Sequence, residues 1–117
     1  VYSYISADSA LVDALVDAGA RGLVVAGVGR GGTTPSQGRA LRRAVDRGVI
    51  VVVSNRTGGG RVGRPTNPEI LRDLPVGAGA TIGAGDLNPQ KARMLLSLAL
   101  ASGLKPADIA TLITSVQ

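Results

Sequence analysis

Three glycine-rich stretches of this chain have residue types and spacings that could do chemistry. The first places Gly27, Gly29 and Gly32 in a G-x-G-x-x-G pattern directly after an apolar run, as in loops that bind a dinucleotide pyrophosphate. Such a loop needs a helix that opens on its last glycines and an acidic residue after the next strand, to hold the ribose. Here residues 33–35 intervene before the helix, and the next apolar run ends in Ser54 and Asn55. A tight strand-to-helix turn is the better interpretation, and we expect no nucleotide cofactor.

The second stretch is Thr57 followed by glycines at positions 58–60, which could present a hydroxyl nucleophile beside bare backbone amides. A hydroxyl nucleophile also needs a base that takes its proton. The chain has no His and no Cys, and its only lysines, Lys91 and Lys105, fall in predicted helices far along the sequence. We therefore interpret the second stretch as a loop and predict no catalytic residue in the chain.

The third stretch has glycines at positions 77, 79, 83 and 85, just before Asp86, Asn88 and Pro89. Backbone amides at the start of a helix can bind an anion. Asp86 would repel an anion but suits the positive end of the helix dipole. A helix cap at Asn88 is therefore the simpler interpretation, and we expect no bound metal or other cofactor.

The charge pattern bears on nucleic acid as a partner. Basic residues outnumber acidic ones by 13 to 8, which gives a formal charge of +5. Positions 39, 42, 43 and 47 are all Arg and share one face of a predicted helix, opposite Leu41, Ala44 and Val45. Tyr2 and Tyr4 are the only aromatic residues, whereas nucleic-acid modules usually interleave basic charge with stacking aromatics. The Arg face thus predicts a solvated surface rather than a nucleic-acid site.

Strand and helix patterns alternate along the chain. Apolar or β-branched runs predict strands over residues 1–6, 23–28, 49–53 and 81–83, and the unbroken run at 49–53 is typical of a central parallel strand. Helices are predicted over residues 7–18, with Asp8 as the N-cap, from Thr34 to about Arg47, from Asn88 to the stop at Gly103, and after Pro106. No apolar run approaches the roughly 18 residues that cross a bilayer, so we expect no membrane partner.

Residues 56–80 are rich in glycine and also hold Pro65, Pro68 and Pro75, so they predict a long loop. The element order calls for a three-layer α/β/α fold with a small parallel sheet of about four strands, Rossmann-like or flavodoxin-like. We expect residues 1–117 to form a single domain of this α/β class.

Several segments, in order, resemble the C-terminal domain of bacterial L-asparaginases. The most specific is D-L-N-P-Q-K-A-R at residues 86–93, followed by M-L-L at 94–96 and L-A-L at 98–100. Upstream, A-L-V-D-A-G at 14–19, G-L-V-V-A-G-V-G-R-G-G at 22–32 and residues 51–56 resemble the same domain. The resemblance covers nearly the whole chain.

The resemblance implies an amidohydrolase that converts L-asparagine to L-aspartate and ammonia when complete. In that family the nucleophilic threonine, a second threonine, an aspartate and a lysine belong to the N-terminal domain, in T-G-G-T-I and G-T-D-T motifs that this chain lacks. The implied partners are that N-terminal catalytic domain and a second subunit of a homo-oligomer, whose substrate site the C-terminal domain helps to close. Because Val1 already begins a predicted strand, we expect a fragment, a processed product or an isolated domain that is inactive alone.

The resemblance also implies three substrate-binding residues. The polar residue of the family's glycine loop falls on Gly32, with Thr33 beside it as a polar substitute. The family's substrate-binding carboxylate falls in the long loop, where Glu69 is the only glutamate of the chain and Asp73 is its nearest acidic rival. A solvated surface charge is the alternative for Glu69. The alternative for the whole chain is a stand-alone small-ligand-binding or assembly module, with an anionic ligand at residues 27–34.

Overall fold

A parallel sheet forms the centre of the fold. The computed structural model describes residues 1–4, 7–27, 33–57, 62 and 80–115, and within them the sheet has three strands in the order β1-β2-β3. The strands are β1 (Gly22–Gly27), β2 (Ile50–Asn55) and β3 (Ala80–Gly83), and the helices are α1 (Ala10–Asp17), α2 (Pro35–Asp46), α3 (Pro89–Ala101) and α4 (Pro106–Ser115). The predicted central place of the 49–53 run is confirmed, since β2 pairs on both sides.

A short segment at the start of the chain extends the sheet beyond β1. Tyr2 forms a parallel bridge with Ala26, flanked by hydrogen bonds from the Ala26 amide to the Val1 carbonyl at 2.7 Å and from the Ser3 amide to the Ala26 carbonyl at 3.0 Å. Burial lowers the pKa of the Val1 α-ammonium below its usual value. The predicted first strand is thus reduced to a bridge among the described residues, and its last two positions lie outside them.

Helices cover both faces of the sheet, as the α/β/α prediction requires. Alternate side chains of β2 point to opposite faces. Val51 and Val53 belong to the core beneath α1 and α2, whereas Ile50 and Val52 belong to the core beneath α3 and α4. Every residue of β2 is buried, as expected for a strand whose residues 50–53 are apolar without alternation.

The starts of α2 and α3 follow the predicted caps. Thr34 accepts a hydrogen bond from the Gln37 amide at the start of α2, and Asn88 accepts one from the Lys91 amide at the start of α3. In each helix Pro occupies the first turn, where its missing amide hydrogen leaves no intrahelical bond unmade. Gly48 has φ +90° after α2, a left-handed conformation that glycine adopts without strain.

Helix α1 differs from its prediction in its start and in its buried face. It begins at Ala10 rather than at residue 7, and its N-cap is Ser9, so the prediction of Asp8 as the N-cap is wrong. The Asp8 carboxylate accepts a hydrogen bond from the Ala10 amide at 3.1 Å. The helical spacing of Leu11, Ala14, Leu15 and Ala18 predicts that these side chains face the core. The buried side chains of the helix are instead Val12 and Val16. Leu11 stays 54% exposed. Both stripes have helical spacing, so only packing against α2 decides between them.

Candidate functional site

The carboxyl ends of β1, β2 and β3 meet at one edge of the sheet, where α/β folds commonly bind ligands. The strand ends there are Gly27, Asn55 and Gly83. Thr33, the one predicted site residue within the described ranges, is half-buried and lies directly ahead of the α2 cap. Gly32, Glu69 and its rival Asp73 lie outside the described residues, so their predicted roles stay predictions.

Side chains from two sides of this edge bind the backbone of the first seven residues. Thr34 donates its hydroxyl to the Ala7 carbonyl at 2.6 Å, and Gln37 Nε2 donates to the Tyr2 carbonyl at 2.9 Å. Arg56, directly after β2, donates through Nε to the Ser3 carbonyl at 3.1 Å. The start of α2 and the start of the long loop are therefore both tied to the same short segment.

Asn55 shapes the first turn of the long loop. Its side-chain oxygen accepts from the Thr57 amide at 2.7 Å and from the Thr57 hydroxyl at 2.6 Å. An amide oxygen does not take up a proton at neutral pH, so this partner cannot activate the hydroxyl as a nucleophile. The geometry supports the interpretation of Thr57 as a turn residue.

The third glycine stretch is followed by contacts that hold residues 85–88, directly before α3, in place. The buried Ser54 donates its hydroxyl to the Leu87 carbonyl at 2.6 Å. Gly85 and Val62 exchange two backbone hydrogen bonds, at 3.0 and 2.7 Å, which brings one residue of the long loop back to the carboxyl edge. The Asn88 side chain accepts from the Lys91 amide at 2.8 Å. The start of α3 is thus capped by its own side chain, as the simpler interpretation required.

Three of the four arginines on the Arg face of α2 are paired with carboxylates. Arg42 binds Asp46 at 3.0 Å within the helix. Arg43 and Arg47 reach across to α1 and bind Asp13 at 2.9 Å and Asp17 at 3.1 Å. All three pairs are at least partly exposed, so they neutralise the face more than they stabilise the fold.

Other features of the described residues do not suggest a second site. A cleft of about 260 Å³ opens at the amino end of β1, but Leu15, Leu96 and Leu100 give it a largely aliphatic lining. Across the described ranges, no group of three or more Asp, Glu, His or Cys could hold a metal ion. In that same part of the chain, no helix is long and apolar enough to span a membrane.

Sequence reasoning overlooked two side chains at the carboxyl edge, Gln37 and Arg56. One signal was available for Gln37, since Thr34 and Gln37 have the T-x-x-Q spacing of a capping box. The glutamine instead reaches the Tyr2 carbonyl, 35 residues away. No local pattern could indicate the partner of Arg56, which lies 53 residues away.

Comparison with known proteins identifies this arrangement. The profile of the glutaminase/asparaginase C-terminal domain family matches residues 1–113. The chain belongs to that family. This family match confirms the resemblance predicted from the sequence, over nearly all of the chain's length.

Two relatives of this asparaginase-type domain are named L-asparaginase 2. The chain is 42% identical over 109 residues to L-asparaginase 2 of Bacillus subtilis, covering 93% of this chain and 27% of the relative. It is 40% identical over 109 residues to L-asparaginase 2 of Escherichia coli, again covering 93% of this chain and 30% of the relative. The chain therefore spans less than a third of these relatives.

The fold is shared with a solved structure. A probable cytoplasmic L-asparaginase from Campylobacter jejuni superimposes with a TM-score of 0.80 at 36% identity, covering 97% of this chain and 34% of that one. The α/β/α prediction is confirmed by this match.

A further relative, 37% identical over 93 residues, is a glutamyl-tRNA(Gln) amidotransferase component of Aeropyrum pernix, and the match covers 80% of this chain and 21% of that one.

Proposed function

We propose that this chain is the accessory domain of an L-asparaginase that hydrolyses L-asparagine to L-aspartate and ammonia. The observation that carries the proposal is the family match over residues 1–113, together with L-asparaginase relatives at about 40% identity. The nucleophile would come from an N-terminal catalytic domain, because the family's threonine motifs, T-G-G-T-I and G-T-D-T, are missing from this sequence. We call the two domains together the complete enzyme.

In the complete enzyme this domain would close a substrate site of a second subunit. Gly32 and Thr33 would approach the substrate from the loop ahead of α2, and Glu69 would approach from the long loop. The half-buried place of Thr33 at the carboxyl edge supports this arrangement. A carboxylate facing the α-ammonium of L-asparagine would form a charge-assisted pair, which is strong when water is excluded. The chemistry of this proposal uses no metal and no other cofactor.

A second candidate comes from the amidotransferase relative. By its name that relative acts toward glutamyl-tRNA(Gln), so the domain could serve amide hydrolysis within a tRNA-dependent assembly. The asparaginase proposal is favoured because the L-asparaginase 2 relatives from Bacillus subtilis and Escherichia coli match at higher identity and greater coverage than the amidotransferase relative. The stand-alone module remains the non-enzymatic alternative.

One pair of assays on the purified 117-residue chain separates the alternatives. We expect no release of ammonia from L-asparagine above buffer, because nucleophile and base are both supplied by the other domain. We also expect no calorimetric signal with L-aspartate or inorganic phosphate, because a half site lacks the partner's contacts. Ammonia release would contradict the accessory role, and micromolar binding of either ligand would support the stand-alone module.

A further inference from the structure

Side chains from two different elements bind neighbouring carbonyls of the first segment. Gln37 Nε2 donates to the Tyr2 carbonyl at 2.9 Å, and Arg56 Nε donates to the Ser3 carbonyl at 3.1 Å. We call these four residues the clasp. The segment is itself fixed to the sheet, because the Ser3 amide donates to the Ala26 carbonyl at 3.0 Å.

The clasp joins the ends of two different loops. Gln37 lies in the first turn of α2, four positions after Thr33 in the sequence, and its amide donates to the cap Thr34 at 3.2 Å. Arg56 begins the long loop, and its own amide donates to the Gly27 carbonyl at 3.0 Å. A displacement of either loop end is therefore transmitted to one shared stretch of backbone.

The burial of Gln37 lowers the stability of the folded state. Only 2% of it is exposed, and its Oε1 has no hydrogen-bond partner among the residues that the structure describes. A buried acceptor without a partner destabilises the folded state. An apolar side chain of the same length would fill the space without that penalty, so core packing alone does not account for a glutamine here. The bond from Nε2 to the segment is the feature that an apolar side chain would lose.

We propose that Gln37 and Arg56 are positioning residues, which act through the clasp to set the spacing of the two loops that meet the substrate. This inference rests on the proposed function, since it assigns the loops of Thr33 and Glu69 to one substrate. In this proposal the clasp holds the start of α2 and the start of the long loop, and it makes no contact with the substrate itself. Its loss should therefore weaken substrate binding more than the chemical step.

A double-mutant cycle in the complete enzyme tests the coupling. Gln37→Met and Arg56→Met should each raise KM for L-asparagine roughly three- to tenfold, the range expected for one lost hydrogen bond, with kcat within about twofold. The double variant should resemble the single variants, because either change already breaks the link that the segment forms between the two loop ends. Arg56→Lys, which keeps a donor, should restore KM most of the way.

Matched controls separate positioning from general damage. Gln90→Met and Arg39→Met change exposed residues of the same types on α3 and α2, and both should leave KM unchanged. Unchanged KM in folded Gln37→Met and Arg56→Met would overturn the proposal. A double variant whose KM rise is the product of the two single rises would also overturn it, because the residues would then act independently.

A second measurement needs no activity. In nuclear magnetic resonance spectra of the 117-residue chain, Arg56→Met should shift the amide signal of Thr33, and Gln37→Met should shift that of Thr57. The two control variants should leave both signals in place. Absence of these cross-effects would overturn the clasp. Cross-effects in a chain whose complete enzyme leaves L-asparagine untouched would instead contradict the proposed function.

Discussion

The side chain of Asn55 holds Thr57 twice, since its Oδ1 accepts both the backbone amide at 2.7 Å and the hydroxyl at 2.6 Å. The pair closes a turn directly after the central strand β2, with Asn55 almost fully buried. The hydroxyl of Thr57 therefore has a structural partner in the place where a catalytic hydroxyl would need a base.

Thr57→Val tests this role, because valine keeps the size of threonine and lacks the hydroxyl. We expect the free energy of unfolding to fall by about 0.5–1.5 kcal/mol in urea denaturation, the usual net value of one hydrogen bond. In the complete enzyme, kcat on L-asparagine should stay within about threefold of the original. Thr57→Ser keeps both donors and serves as the control. A fall in kcat of about a thousandfold for Thr57→Val alone would make Thr57 the nucleophile.

Thr34 makes two hydrogen bonds at the start of α2, and the loss of its hydroxyl should destabilise this helix. Its hydroxyl group accepts a hydrogen bond from the Gln37 amide and donates one to the Ala7 carbonyl. Thr34→Ala should lower the free energy of unfolding by about 1–2 kcal/mol, as for other lost N-caps. Thr111→Ala, at an exposed helix position, should change it by less than about 0.5 kcal/mol. Equal effects of the two substitutions would contradict the capping role.

The Arg face of α2 should not bind nucleic acid. Arg43 and Arg47 are paired with Asp13 and Asp17, and stacking aromatics are missing from the helix. Fluorescence anisotropy with single-stranded and duplex oligonucleotides, at about 0.15 M salt, should give a Kd weaker than roughly 100 µM. Saturation at micromolar chain concentration would refute this expectation and favour the tRNA-linked candidate.

Glu69 is the predicted carboxylate for the substrate's α-ammonium. In the complete enzyme, Glu69→Gln should lower kcat/KM on L-asparagine by roughly tenfold or more, equivalent to about 1.4 kcal/mol, with little change in stability. Asp73→Asn should matter less and is the matched control. A silent Glu69→Gln with a crippling Asp73→Asn would move the contact to Asp73, and two silent variants would remove the long loop from the substrate site.

Much of the fold follows from local sequence signals. The β-branched run of β2 predicted a strand that is buried on both faces. The Thr34-Pro35 and Asn88-Pro89 pairs predicted the starts of α2 and α3 to within one residue. Helix α1 shows the limit of such signals. Its Leu11 and Val12 stripes are equally periodic, and the choice of Val12 and Val16 comes from packing against α2, which local spacing does not encode.

The contacts at the candidate site were harder to predict from the sequence than the fold, because they join residues that lie far apart along the chain. The family resemblance pointed to Thr33, but the supporting residues Gln37 and Arg56 are defined by carbonyls 35 and 53 positions away. Backbone carbonyls have no sequence signature, since every residue carries one. Only the folded chain reveals which side chain binds them.

A domain exchange tests the central claim most directly. The matched segment of L-asparaginase 2 from Bacillus subtilis, to which this chain is 42% identical, would be replaced by this chain, and kcat/KM for ammonia release from L-asparagine would be measured. We predict activity in the exchanged enzyme and none in the relative truncated before that segment or in the 117-residue chain alone. A folded, assembled exchange enzyme without activity, or ammonia release by the chain alone, would contradict the accessory role.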